Sequence, residues 1–141
     1  MIRPLVVALV LSLPGLAGNW PQFRGPDGQG HSPEKNVPTH WSTTHGIAWK
    51  THIPGESWSS PIVHGRHVFV STATENGESC RVLALDRDSG RILWNTELFR
   101  QVPRRKETRN SYATPTPATD GKRVYACFGR SEEHTSELQS R

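Results

Sequence analysis

The stretch that decides the fold is LALDRDSGRILW, residues 83–94, which holds two aspartates, one glycine and one tryptophan. Its D-x-D-x-G spacing could begin a calcium loop, or the same residues could form a tight hairpin between two buried strands. A calcium loop requires a third acidic or amide ligand, and the sequence has Gly90 at that position. We therefore expect Asp86 and Gly90 to shape a hairpin turn and Trp94 to lie on the strand that follows.

Short apolar stretches separated by turn residues recur around this hairpin. Asn76-Gly77 is the strongest of the turn signals, because both residues tolerate the left-handed backbone conformation that tight hairpins need. Strands at roughly ten-residue spacing predict an all-β sandwich, barrel or propeller. The predicted strands are 47–53, 60–63, 67–72, 81–85 and 91–98.

A repeat favours the propeller among these folds. IAWKTHI (47–53) aligns without a gap on ILWNTEL (92–98), with Ile, Trp and Thr identical at an offset of 45. SPIV, beginning at Ser60, resembles TPTP at an offset of 54, and GRHVF, beginning at Gly65, resembles GKRVY at an offset of 56. A period near 45 residues with four strands is what a propeller blade needs.

The ordered motifs resemble those of a known repeat family. Val68-Phe69-Val70, then Leu83-Ala84-Leu85-Asp86, Ser89-Gly90 and Trp94 together resemble the blade motif of the pyrroloquinoline-quinone-like (PQQ-like) β-propeller repeat proteins, in the quinoprotein alcohol dehydrogenase-like superfamily. The resemblance implies an all-β propeller of four-stranded blades. It also implies that the tryptophan of each outer strand packs against the neighbouring blade.

The resemblance also divides the chain. Residues 47–129 are expected to form a partial propeller with one complete blade at about 60–98, preceded by a lead-in, residues 18–46, rich in Gly and Pro. Within the lead-in, Trp20 to Pro26 looks like the start of an exported bacterial subgroup of the family, and so does Asn110 to Gly121 in the partial propeller.

The two ends of the chain are interpreted differently. Residues 1–17 have the basic start, apolar run and small residues of a secretory signal peptide. Export, to the periplasm or the medium, is therefore expected, with no membrane span after signal removal. Residues 130–141, RSEEHTSELQSR, look like a translated sequencing adapter, so we expect this tail to be foreign and the chain to be a fragment.

Charge and cysteine content set limits on partners. The net charge of +4 is mild and dispersed, so a nucleic-acid partner is not expected. Cys80 and Cys127 are the only cysteines, and they form no metal-type cluster. Their spacing leaves a disulfide open, although two buried or partly buried thiols are favoured.

The family resemblance supports two functional hypotheses. The favoured one is a non-catalytic binding or assembly scaffold that holds an unknown protein or small molecule on a propeller face. The alternative is a fragment of a PQQ-dependent quinoprotein dehydrogenase that oxidises alcohols or sugars with PQQ and calcium. No catalytic or metal residue is assigned, because no position matches the quinone or calcium pocket and neither cysteine has a Cys neighbour. Cofactor-binding residues remain unassigned.

Other constellations in the sequence are weaker. His64 and His67 flank a turn and would need a third ligand to bind a metal. Ser57 to Ser60 offers hydroxyls without a paired base, so it is not a nucleophile motif. If any residues line a central face of the propeller, they are expected to be Trp58, Arg109, Asn110 and Tyr112.

Overall fold

The computed structural model describes residues 18–35, 37–103, 106, 108–129 and 136–139. Regular structure in these residues is almost entirely β, with one short 3-10 turn, which confirms the predicted fold class. The predicted signal peptide lies outside the described residues. The elements are β1 (Ile62–His64), β2 (His67–Thr74), the 3-10 turn (Glu75–Gly77), β3 (Ser79–Asp86), β4 (Ile92–Arg100), β5 (Ala118–Thr119), β6 (Arg123–Ala126) and β7 (Ser136–Gln139).

The first four strands form one antiparallel sheet in chain order. In the middle of β3, Leu83 faces Val70 of β2 on one side and Asn95 of β4 on the other. This sheet is the four-stranded blade predicted over about residues 60–98, with its bounds shifted by two residues at each end.

The third strand lies at the centre of the packing. Val82, Leu83, Ala84 and Leu85 are each at most 2% exposed. Successive side chains of a strand point to opposite faces, so both faces of the sheet are covered at β3. Burial of each large apolar side chain contributes about 1.5–3 kcal/mol. On one face the core joins the two sheets, and its buried members are Ile62, Phe69, Ala73, Cys80, Val82, Ala84, Tyr112, Ala113, Val124, Ala126 and Phe128.

Residues 83–94 fold as the predicted hairpin. The Asp86 carboxylate accepts hydrogen bonds from the Ser89 amide at 2.8 Å and from the Ser89 hydroxyl at 2.7 Å, and the Gly90 amide donates to the Asp86 carbonyl at 2.8 Å. Glu97 stands where a calcium loop starting at Asp86 would carry its distal glutamate. It lies on β4 and contacts Arg81 at 3.4 Å, so the turn is a structural element.

The prediction of a strand at 47–53 is wrong, because the structure assigns no strand there. A strand exists only where its backbone pairs with another, and this segment is instead held by side chains. The indole N–H of Trp49 donates to the Arg87 carbonyl at 2.8 Å, and the Thr51 hydroxyl donates to the Gly90 carbonyl at 2.6 Å. Trp49 therefore contacts the β3–β4 turn of the first sheet without the predicted strand.

The second sheet begins the next blade. Gly65 and Gly121, matched by the repeat at an offset of 56, both have positive φ and occupy equivalent turns after β1 and β5. Trp94 packs against the shared core, with its ring 6.0 Å from that of Phe69. The edge-on contact between Phe99 and Phe128, with centroids 5.6 Å apart, also joins the two sheets.

The tail contributes a strand that the sequence does not predict. Ser136–Gln139 pairs antiparallel with β6 as β7. Backbone pairing needs no particular side chains, so an open strand edge such as that of β6 can take up almost any chain. The interpretation of residues 130–141 as foreign sequence stays a prediction.

The cysteines are two free thiols. Cys80 is fully buried in β3, whereas Cys127 is exposed, so the expectation that both are buried or partly buried holds for Cys80 and is wrong for Cys127. Cys127 follows the last residue of β6, where the chain leaves the sheet. Burial raises the pKa of the Cys80 thiol to about 11, with a smaller contribution from Glu97.

Candidate functional site

A cavity of about 350 Å³ lies at the end of the first sheet where β2 passes into β3. It is the site that we describe as the β2–β3 cavity. The turns that contain Gly65 and Asp88 lie at the opposite end of the same sheet. The cavity is lined by Gly55, Glu56, Ala73, Thr74, Glu75, Asn76, Gly77 and Tyr112.

In the part of the chain that the structure describes, no helix is long and apolar enough to cross a membrane.

One wall of the cavity is backbone of the segment that precedes β1. Glu56 forms an antiparallel bridge with Ala73, with N–H···O distances of 2.9 and 3.0 Å. The hydroxyl of Thr72 donates to the Pro54 carbonyl at 2.7 Å and holds this segment on the sheet. The Glu56 carboxylate is therefore fixed at its base and open at its tip, with its side chain 68% exposed.

The opposite wall is the β2–β3 connection. Glu75 and Asn76 have φ values of 53° and 55°, and Gly77 has 99°. A left-handed backbone at a non-glycine residue is uncommon and costs conformational energy, which the surrounding contacts must offset. The ring of Tyr112 lies directly against Gly77, where an added Cβ would be 2.1 Å from the ring. Only glycine allows this contact, which keeps Tyr112 at 8% exposure.

Lys106 lies between the carboxylate of Glu56 and the ring of Tyr112. Its ammonium donates to the Asn110 carbonyl at 2.7 Å and lies 5.7 Å from the centroid of the Tyr112 ring. The Glu56 carboxylate is 3.9 Å from the same ammonium. A cation over an aromatic ring and beside a carboxylate is stabilised by both, so Lys106 balances the charge of Glu56 at the rim.

Arg100 balances the charge of Glu75, the second acidic residue of the lining. Its guanidinium pairs with Glu75 and also reaches Glu78 at 3.3 Å and Glu97 at 3.2 Å. The hydrogen bond and the charge of Arg100 hold the pKa of Glu75 below its usual range, and the same contacts raise that of Arg100. Glu75 is therefore ionised at neutral pH and is a weak proton acceptor there.

The residues predicted to line a central face divide into two groups. Tyr112 lines the cavity, and Asn110 contacts Lys106 through its carbonyl oxygen. Trp58 and Arg109 do not line the cavity; Trp58 is 64% exposed, and its amide donates to the Ala113 carbonyl at 3.2 Å.

Sequence reasoning missed the two charged residues of the lining, Glu56 and Glu75, and also Lys106, which pairs with Glu56. The Asn-Gly turn was the one available signal for the wall that holds Glu75. Nothing in the sequence brings Glu56 and Lys106 together, because they meet through the long connection after β4.

The histidines of the β1–β2 turn have packing contacts. The His64 ring lies against Gly121 of the second blade, and the His67 ring stacks on Phe69 with centroids 5.8 Å apart. Within the described ranges, no group of three or more His, Cys, Asp or Glu side chains is placed to hold a metal ion.

The serines before β1 form a chain of hydroxyls. Ser59 is 2.9 Å from both the Ser57 hydroxyl and the Ser71 hydroxyl, and Ser71 also contacts the Pro115 carbonyl at 3.4 Å. Ser71 is fully buried, so this chain of hydrogen bonds ties β2 to the segment that leads into β5. Its hydroxyl and carbonyl partners are those of a structural link between the two blades.

The charges that line the cavity do not suit a bound quinone. PQQ is a planar polyanion that would need cations and a flat apolar surface, but Glu56 and Glu75 place two carboxylates on the lining. The two nearby cations, Lys106 and Arg100, are already paired with these carboxylates. The lining of this cavity therefore does not fit an anionic quinone.

Comparison with known proteins agrees with this fold. A family model for PQQ-like repeats, described as outer membrane protein assembly factor BamB, matches residues 36–138. The match covers more than half of the chain and includes all of the first blade. No curated protein and no solved structure matched this chain. The blade architecture and this match together show that the chain belongs to the BamB-like family of PQQ-like β-propeller repeat proteins.

Proposed function

We propose that the chain is part of an exported β-propeller that acts as a non-catalytic binding scaffold, and that its β2–β3 cavity contacts the partner. The observation that carries this proposal is the pairing of Glu75 with Arg100. A catalytic carboxylate needs a pKa matched to proton transfer at the working pH, whereas this pairing lowers the pKa of Glu75.

The surroundings of the cavity support a contact surface. Trp58 is 64% exposed and Val102 is 86% exposed, and both adjoin segments at the cavity end of the first sheet. Exposed aromatic and apolar residues beside a ring of charged groups are typical of protein–protein contact surfaces. The family description names an assembly factor, which is consistent with such a role.

Site-specific photo-crosslinking in the periplasm of an exporting host tests this proposal. A photoreactive amino acid at Asn76, on the cavity wall, is compared with one at Asp88, which is exposed in the turn at the other end of the sheet. We expect a discrete adduct from position 76 and none from position 88. Equal crosslinking at both positions, or none at either, would argue against the cavity end as the contact surface.

A second experiment addresses the dehydrogenase alternative. The purified protein is incubated with PQQ and calcium, and dye reduction is followed with alcohols and sugars as substrates. We expect no turnover above that of the free cofactor. Saturable, cofactor-dependent turnover would overturn the scaffold proposal, whatever the crosslinking result.

A further inference from the structure

The first residues of the lead-in pair with the free edge of β1. The Trp20 amide donates to the Val63 carbonyl at 2.8 Å, and the Val63 amide donates to the Trp20 carbonyl at 2.9 Å. Beside this bridge, the side-chain oxygen of Asn19 accepts a hydrogen bond of 2.8 Å from the Gly65 amide. Both polar backbone groups of Val63 are therefore satisfied by the lead-in and point away from β2.

The next residue of the lead-in reaches the second sheet. The Pro21 carbonyl accepts a hydrogen bond of 2.9 Å from the amide of Thr119 in β5. Val63 and Thr119 are 56 residues apart and belong to two different sheets, but consecutive residues of the lead-in bind them. The lead-in therefore connects the first strands of two successive blades.

The side chain of Trp20 anchors this connection. Its ring lies against the buried Gly25, where an added Cβ would be 2.8 Å from two ring atoms, so the lead-in folds back on itself. Gly25 has a φ of 81°, which a residue with a side chain adopts only with strain. By contrast, Phe23 of the same segment is 62% exposed.

In a β-propeller, the blades surround a central channel and the first strand of each blade lies beside it. β1 and β5 are the first strands of their blades, and the lead-in binds the edges of both. We propose that residues 19–25 form a strap on the channel side of the propeller, which ties the inner strands of two consecutive blades together. The strap rests on these hydrogen bonds and does not depend on the proposed binding role.

Hydrogen–deuterium exchange of the whole chain, resolved to single amides, tests the strap. In the unsubstituted protein, the amides of Val63 and Thr119 are expected to be protected. Trp20→Ala removes the anchor and should raise the exchange rates of both amides together, by roughly tenfold or more. Phe23→Ala removes an exposed ring from the same segment and serves as the matched control, with less than about a twofold change at either amide.

Concerted release of two amides in different sheets is the signature of one strap. Amides of the β2–β3 ladder report in the same experiment whether the blade remains folded, and their protection should not change in Trp20→Ala. The proposal is overturned if Val63 and Thr119 respond separately or not at all. It is also overturned if Phe23→Ala has the same effect, or if Trp20→Ala removes protection throughout the sheet.

Discussion

The indole N–H of Trp49 donates a hydrogen bond of 2.8 Å to the carbonyl oxygen of Arg87, across 38 residues of chain. This bond brings the Trp49 ring onto Gly90, the glycine of the β3–β4 turn. A segment without strand structure is thereby fixed to the outer turn of the blade. Gly90 therefore has to adopt the left-handed backbone of the turn and also leave room for the Trp49 ring.

Gly90→Ala should be strongly destabilising for both reasons. Gly90 has a φ of 70°, and an added Cβ would lie 2.4 Å from the Trp49 ring. Gly65→Ala is the matched control, because Gly65 has a φ of 57° but nothing lies within 4 Å of its added Cβ. We expect Gly65→Ala to cost about 1 kcal/mol from backbone strain and Gly90→Ala about 2–4 kcal/mol in total.

Urea unfolding followed by circular dichroism measures both changes in the free energy of unfolding. Equal losses in the two variants would mean that Trp49 moves away without cost. The contact between Trp49 and Gly90 would then contribute little to the stability of the blade.

Much of this blade was predictable because its signals are local. The turn at Asp86 to Gly90 and the four strands around it depend on short-range patterns, and the structure confirms them. The match of Gly65 to Gly121 also holds, because both glycines adopt a backbone conformation with positive φ. The strand predicted at 47–53 fails because a strand depends on a pairing partner, which a one-dimensional pattern does not supply.

The cavity was less predictable because its charged residues are distant in sequence. Tyr112 was named as a residue that would line a central face of the propeller, and it lines the cavity. The acidic residues that complete the lining were not expected there. Glu56 reaches the cavity because the segment before β1 pairs with Ala73, and Lys106 reaches Glu56 along the connection after β4. No periodicity in the sequence encodes either path.

The stability of the protein should fall in acid. The pKa of Asp86 is lowered first by the Ser89 hydroxyl, then by the Ser89 amide, and the pKa of Asp120 is lowered by the amides of Lys122 and Arg123. A carboxylate with a lowered pKa in the folded state contributes stability that is fully present above its unfolded pKa, about 4. This contribution is lost as the pH falls from there through the folded value.

Asp86→Asn keeps an oxygen that can accept the hydrogen bonds of Ser89 but removes the charge. We therefore expect the free energy of unfolding to depend less on pH between about pH 5 and pH 2 in this variant than in the unsubstituted protein. Asp88→Asn is the control, because Asp88 is 70% exposed and makes an ion pair with Arg66, itself 75% exposed. Identical pH dependence in Asp86→Asn and the unsubstituted protein would show that the turn does not hold the carboxylate in its charged form.

The two thiols should differ in reactivity. Cys80 is fully buried and has its pKa raised to about 11, whereas Cys127 is exposed. The thiolate is the reactive form, so iodoacetamide at pH 8 should modify Cys127 and spare Cys80 until denaturant is added. Peptide mass spectrometry assigns the label, and Cys127→Ser should remove labelling of the folded protein. A disulfide between the two residues, or equal labelling of both, would contradict these positions.

Export should create a new charged group at Gly18, directly before the strap. Cleavage after Ala17 would leave Gly18 as the first residue, and the backbone nitrogen of Gly18 donates to the carboxylate of Glu34. That nitrogen would then become an ammonium, and the hydrogen bond would become an ion pair. We expect the intact mass and the N-terminal sequence of the exported protein to begin at Gly18.

The ion pair should appear in the reactivity of the new amino group. A neighbouring carboxylate favours the protonated, unreactive form of an amine. Glu34→Gln should therefore speed acylation of the mature amino terminus near pH 7, by about twofold to fivefold for an exposed pair worth up to about 1 kcal/mol. Glu78→Gln removes a carboxylate near Arg100 and should leave the rate unchanged. A mature chain that begins elsewhere contradicts the signal-peptide prediction, whereas correct cleavage with equal rates in the two variants contradicts only the ion pair.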